Sequence, residues 1–286
     1  MHHTAVLPRS FLYVPADRPE LFAKACNGPA DALIFDLEDA VPLGRKDEAR
    51  RALRDWLAAN PTNRQQIWVR INQASIMADL QAVVSPGLTG IMQAKCSPAV
   101  LLEATAALTD LERSRGLEPI GIIGLVEDAR SLQALDSMAT NPRLVTFAIG
   151  EVDLMADLRM ARTLAAEPAL DSIRARFVIA CAAAGLRPPL APTSTAIREL
   201  DAFEQSSQKM LNLGFRSRTA IHPAQLAVIH AVFSPSLAEL AAARDVIDRF
   251  DLAGGGVALD VAGRMIDAAV VRGAQETLSR TAERND

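Results

Sequence analysis

Ile120-Gly121-Ile122-Ile123-Gly124-Leu125-Val126-Glu127 and Val145-Thr146-Phe147-Ala148-Ile149-Gly150-Glu151-Val152-Asp153 decide the fold. Each is a short, nearly uncharged run closed by a carboxylate. A run of this length without polar alternation reads as a parallel strand buried on both faces. Parallel strands carry ligands beyond their carboxyl ends. Two that finish in acids can direct both at one point, a natural seat for a divalent cation of the magnesium type.

The same pattern repeats outward from this pair. Strands are predicted over 10–15, 32–38, 66–72, 90–95, 188–193 and 218–222, the 188–193 segment weakened by three prolines. In the 32–38 strand Asp36 and Glu38 share one face, with Leu37 on the other. Between the strands lie helical patterns over 19–26, 45–60, 77–84, 98–115, 128–138, 157–164 with 170–185, 196–213 and 223–233. Ala49, Leu53, Trp56 and Leu57 make one apolar stripe of the second. Eight strand–helix alternations predict a (β/α)₈ TIM barrel. An open doubly wound sheet is the alternative, but no GxGxxG turn follows a strand.

Residues 1–234 are accordingly read as the barrel domain and 235–286 as a C-terminal helical extension, broken at Ala253-Gly254-Gly255-Gly256. The extension either folds back on its own barrel or covers the mouth of a neighbouring subunit.

Half of the 286 residues are hydrophobic and only 4% aromatic, which suits aliphatic helices packed on a sheet. A net charge of −4 with no basic cluster gives no pull toward nucleic acid or an anionic membrane. The cysteines Cys26, Cys96 and Cys181 form no CxxC pair, so neither a zinc site nor a disulfide framework is suggested. Reduced thiols, no signal-peptide core before Arg9, and no apolar run near about 20 residues point to a cytoplasmic protein.

In a barrel every strand opens on one face at its carboxyl end. The residues collected there are Pro15, Asp36, Glu38, Asp39, Arg70, Lys95, Glu127, Asp153 and His222. Each has a plainer reading beside the functional one. Glu127-Asp128 also suits the acidic first turn of a helix. Asp153 also suits an N-cap and has rivals in Glu151 and Asp157. Arg70 also suits a barrel-end ion pair with Asp36 and Glu38. His222, before Pro223, also suits a cap of the last barrel helix.

Arg9-Ser10-Phe11-Leu12-Tyr13-Val14-Pro15, Asp36-Leu37-Glu38-Asp39-Ala40-Val41, Val69-Arg70-Ile71-Asn72, Ala220-Ile221-His222-Pro223-Ala224-Gln225 and Met265-Ile266-Asp267 stand in this order. Together they resemble the citrate lyase β-subunit-like family within the HpcH/HpaI aldolase group, over almost the whole chain. The resemblance implies a Mg²⁺-binding barrel that works as a homo-oligomer, a trimer or hexamer. It implies cleavage or formation of a carbon–carbon bond between an acyl-CoA thioester and a keto acid. It implies Glu127 and Asp153 as metal ligands and Arg70 as the holder of the keto-acid oxygens. Glu38 and Asp39 would orient Arg70 and the metal-bound waters. Asp267 is the implied acid/base, reaching in from a neighbouring subunit. Tyr13, Lys24, Ile221 and His222 fall where the family contacts the CoA ester.

The substrate expected is a malyl-, citramalyl- or citryl-CoA-like ester. A CoA-independent aldolase and a catalytically degenerate metabolite-binding member are the alternatives. The sequence departs from the family at Ala16, at Glu151-Val152-Asp153, at Gly263-Arg264-Met265 and in the loop 192–196. The family commonly has Gly, Ala-Glu-Asp, Gly-Lys-Met and Tyr-Thr-Asp, respectively, at these places.

Overall fold

The computed structural model describes residues 8–281. They divide into two compact units, 8–230 and 231–281. The apolar runs of the first unit form eight strands: β1 Ser10–Pro15, β2 Ala32–Asp36, β3 Gln66–Ile71, β4 Gly90–Gln93, β5 Gly121–Val126, β6 Leu144–Ile149, β7 Leu190–Ala191 and β8 Ser217–Ala220. They pair in parallel in sequence order and β8 closes on β1, making a barrel. Alternation along each strand divides the side chains. Phe11, Ile34, Trp68, Met92, Ile123, Leu125 and Leu190 pack together inside. Phe35 faces outward, its ring 4.8 Å from Phe22 and 4.9 Å from Trp56 on the surrounding helices.

The barrel is as the sequence predicts; several element ends are not. β2 stops at Asp36, so Glu38 lies in a turn rather than on a shared strand face. The cause is local: Asp36 turns its carboxylate back onto the amides of Glu38 and Ala40, at 2.9 and 3.0 Å. β7 shrinks to Leu190–Ala191 because Pro189 and Pro192 flank it and donate nothing to a ladder. The 128–138 segment is two short helices, Ala129–Gln133 and Leu135–Met138, the first capped by the Asp128 carboxylate on Ser131 N–H.

The largest correction falls beyond β6. Glu151–Asp157 is helix, and Asp153 sits in its first turn rather than at a strand tip. The predicted 157–164 helix does not form, because Arg159 turns left-handed at φ 56°. Arg159 N–H bonds to Ala156 O and Met160 N–H to Met155 O, the double bond of a Schellman stop.

The second unit holds the helices Leu237–Leu252 and Ala268–Ser279, with the short antiparallel strands β9 (Ala258–Leu259) and β10 (Met265–Ile266) between them. A capping box at Ser236 and Glu239 starts the first of these helices. The stretch Gln225–Leu252 is long and apolar enough by composition to cross a membrane, against the expectation that no run nears that length. Residues 234–236 divide it into helices of 9 and 16 residues, each shorter than the about 20 needed to span.

Candidate active site

All eight strands are parallel, so their carboxyl ends surround one mouth. A cavity of about 450 Å³ opens there. Its wall includes Tyr13, Arg70, Glu127, Asp153 and Ile221, with Asp36 and Asp39. The two acid-tipped runs that open the sequence reading therefore do meet in one cavity.

Glu127 follows β5 and is 6% exposed. Its Oε2 accepts the Lys95 N–H at 2.6 Å. Lys95 presents that N–H because it turns left-handed after β4, at φ 49°, a conformation that costs a non-glycine residue about 1 kcal/mol. Gly150 supplies the space on the other side: a Cβ there would stand 2.3 Å from Glu127 Cγ. Burial pushes the Glu127 carboxyl up to about 7; the Lys95 amide and Arg70 oppose this, and Glu38 and Asp153 add to it.

Arg70 faces inward from β3. Its Nε and Nη2 donate to the two oxygens of Asp36 at 2.7 and 2.6 Å. The strand register places the two residues side by side. Nη1 lies 3.3 Å from Glu38 Oε2 and 4.0 Å from Asp39 Oδ2. The guanidinium stacks over Tyr13 at 5.0 Å. Burial lowers the affinity of the Arg70 guanidinium for its proton, but the hydrogen bonds to Asp36 and the surrounding charges outweigh it, and the pKa is raised. Arg70 therefore remains a cation. Asp36 is its main partner, Glu38 the second and Asp39 a distant third. Asp36 joins the site; its signal in the sequence was its place at the tip of an apolar strand beside Arg70.

Glu38 is buried and also takes the Lys95 ammonium at 3.1 Å. Glu151, the rival of Asp153, is held bidentately by Arg174 at 2.8 Å on each oxygen. Asp153 is exposed and makes no comparable ion pair among the described residues. Lys24 is exposed on the helix Phe22–Cys26, and neither it nor His222 is among the residues lining the cavity. His222 Nδ1 accepts the Ala224 N–H at 3.1 Å, as a helix cap would. Asp267 belongs to the second unit. Its Oδ1 accepts from Ala269 and Val270 N–H at 2.9 and 3.0 Å, capping the helix Ala268–Ser279.

Among the described residues, no three His, Cys, Asp or Glu side chains form a ready metal cage. Two carboxylates at one mouth suit a hard divalent ion that completes its octahedron with water and ligand oxygens. A carboxyl whose pKa is raised by burial, with neighbouring acids adding to it, is the state such an ion would relieve.

Comparison with known proteins agrees with this architecture. Residues 9–223 match the family model HpcH/HpaI aldolase/citrate lyase. The (3S)-malyl-CoA thioesterase of Cereibacter sphaeroides is 32% identical, covering 98% of this chain and 96% of its own length. Citrate lyase subunit beta of Escherichia coli is 30% identical, covering 95% and 92%. The crystal structure of CitE from Mycobacterium tuberculosis, in complex with magnesium, acetoacetate and coenzyme A, superposes with a TM-score of 0.77. It is 30% identical and covers 96% of this chain and 98% of its own.

Proposed function

The chain belongs to the HpcH/HpaI aldolase/citrate lyase family, and from that premise we propose that it is a Mg²⁺-dependent carbon–carbon lyase. It would split a 3-hydroxyacyl-CoA ester, such as malyl-, citramalyl- or citryl-CoA, into an acyl-CoA and a keto acid, or join them. One observation carries the reading: Glu127, Asp153 and Arg70 line a single cavity at the barrel mouth.

Glu127 and Asp153 would hold the ion. Bound there, Mg²⁺ supplies Lewis acidity toward the hydroxy (or keto) and carboxylate oxygens of the acid. Arg70 Nη1, not committed to Asp36, donates to the same carboxylate. Asp36 and Glu38 hold the guanidinium in place. Leu125, Ala148 and Ala191 give the cavity an apolar part of its wall. In cleavage the substrate hydroxyl gives its proton to solvent water, the C2–C3 bond breaks, and the thioester leaves as an enolate that takes one proton at C2, so no net proton is gained or lost. Asp267 of a neighbouring subunit gives that proton, or removes it in synthesis. Tyr13, Lys24, Ile221 and His222 are assigned to the CoA ester.

This reading makes the protein a cytoplasmic homo-oligomer, a trimer or hexamer, with the C-terminal extension acting as a lid. The exposed apolar side chains Val257, Leu259, Val261 and Met265 around the β9–β10 hairpin support burial against another subunit. Asp267→Asn is expected to lower kcat by about 100-fold or more with KM little changed. Asparagine is as good an N-cap as aspartate, so the fold should survive. Steady-state kinetics on the oligomer test this, and an unchanged kcat would remove the lid from the mechanism.

Hydrolysis of the same thioester is the second reading, favoured by the malyl-CoA thioesterase relative at 32% identity. Both reactions use the same substrate and differ in which bond breaks.

Mg²⁺ affinity is expected to depend on pH through Glu127. Its carboxyl, pushed up to about 7 by burial, is protonated below that pH, so each unit of acidification below 7 should cost up to about tenfold in affinity. The metal-free protein runs the other way. This group's contribution to stability is fully present below its ordinary value of 4.5 and is lost as pH rises through about 7. Melting curves at pH 5 and pH 8, with and without Mg²⁺, read both effects.

Gly150→Ala is expected to weaken Mg²⁺ about tenfold, since the new methyl displaces Glu127 rather than removing it. A calorimetric titration checks this, and unchanged affinity would mean that Glu127 has room the geometry denies it.

A further inference from the structure

A second cavity, of about 420 Å³, lies outside the barrel wall against β8 and the helices Glu167–Ala183 and Leu200–Leu213. Its charges do not balance. Arg162, Arg174, Lys209 and Arg218 line it, against Glu151 and Glu167. Glu151, Glu167 and Asp171 all bond to Arg174, and the last two also bond to Lys209. These three carboxylates are thus taken up by two cations, and Arg218 forms no ion pair among the described residues.

Arg218 is 4% exposed. Every acceptor it has is neutral: Nε donates to Pro192 O at 3.0 Å, and Nη1 to Phe203 O, Ser206 Oγ and Ser207 Oγ at 3.2, 2.9 and 2.6 Å. Its guanidinium lies 4.0 Å above the Phe203 ring. Nη2 has no hydrogen-bond partner among the described residues, and the residue lines the cavity. A buried cation without a counter-charge is costly, and a guanidinium whose Nε and Nη1 are taken still offers the two N–H of Nη2 to an oxyanion. Burial also pushes Arg218 down to about 10, with Glu151 opposing and Arg174 adding, as expected of a cation short of an anion.

We propose that this cavity is a ligand site separate from the barrel mouth, taking a small anion whose carboxylate or phosphate group pairs with Nη2 of Arg218. Thr163 and Thr193 add hydroxyls to its wall. The two cavities share Glu151, Val152, Thr193 and Thr195. A ligand here would therefore touch the segment that carries Asp153.

The test is calorimetric titration of the full-length protein with inorganic phosphate in one arm and succinate in the other. Both are done in the Arg70→Lys background, which weakens anion binding at the mouth, and Ala166→Trp separates what remains there from binding in this cavity. Saturable binding is expected in at least one arm, with a dissociation constant of about 1 mM or tighter. The tighter arm assigns the group as phosphate or carboxylate. Arg218→Lys should weaken binding about tenfold or more. Ala166→Trp, which fills the cavity without touching the bonds of Arg218, should abolish it with the melting temperature unchanged. It decides the matter if Arg218→Lys does not fold. Absence of saturable binding in both arms, or binding that Ala166→Trp leaves intact, overturns the proposal.

Discussion

Glu127→Gln is expected to lower Mg²⁺ affinity by about 100-fold or more and turnover by a similar factor, because one of two carboxylate ligands carries several kcal/mol of the ion's stabilisation. The substitution is nearly isosteric. Glutamine still offers an oxygen to the Lys95 N–H, which meets Oε2 at 2.6 Å. What it removes is a buried charge. At pH 8 wild-type Glu127 is ionised although burial favours its neutral form, so the metal-free variant should melt higher than metal-free wild type. Added Mg²⁺ should raise the melting temperature of wild type and leave the variant's unchanged. A variant that is merely misfolded would melt lower in both conditions. If the variant binds Mg²⁺ as wild type does, the metal assignment is wrong.

Arg70→Lys is expected to reduce kcat/KM by about 100-fold or more, although it keeps the charge. The reason is geometric. Arginine's fork holds Asp36 through Nε and Nη2 at 2.7 and 2.6 Å, while Nη1, 3.3 Å from Glu38 Oε2, has a second N–H for the substrate carboxylate. An ammonium cannot do both. Asp36 is 1% exposed and Glu38 5%, so weakening their shared partner also destabilises the barrel, by up to about 3 kcal/mol. The turn itself should persist, since Asp36 still accepts from the Glu38 and Ala40 amides. Kinetics below the variant's melting temperature separate the two effects. If kcat/KM stays within about threefold of wild type, Arg70 is a barrel-end ion pair and nothing more.

The parts of the fold written in apolar runs were readable, because burial of a parallel strand on both faces leaves a continuous signal. β1, β3, β5 and β6 fall where Ser10–Pro15, Gln66–Ile71, Gly121–Val126 and Leu144–Ile149 are apolar. The convergence of Glu127 and Asp153 was readable for the same reason: two such runs end in acids. What set the finer geometry left no such trace. Asp153 reaches the mouth from the first turn of a helix, since Gly150 ends β6 and Arg159, not a glycine, ends the helix. The left-handed turn at Lys95 has no glycine or asparagine to announce it, yet it supplies the amide that holds Glu127. What sets Glu151 apart from Asp153 is Arg174, more than 20 positions away, which takes Glu151 for itself. Asp36 and Glu38 were both readable as ion-pair partners of Arg70, but which of them takes the fork is set by strand register, which no single stretch encodes. The cap that His222 Nδ1 makes on Ala224 follows the plainer reading of that residue. A role in CoA binding would be additional to it.

Product analysis decides whether the bond broken lies between carbons. The full-length protein, saturated with Mg²⁺ at pH 8, is incubated with malyl-, citramalyl- and citryl-CoA, and the products are resolved by mass spectrometry. For at least one ester an acyl-CoA and a keto acid are expected in equal amounts, formed only when Mg²⁺ is present and lost in Glu127→Gln. Free CoA with an intact hydroxy acid would make the protein a thioesterase. No turnover of any of the three esters would contradict the account at its root.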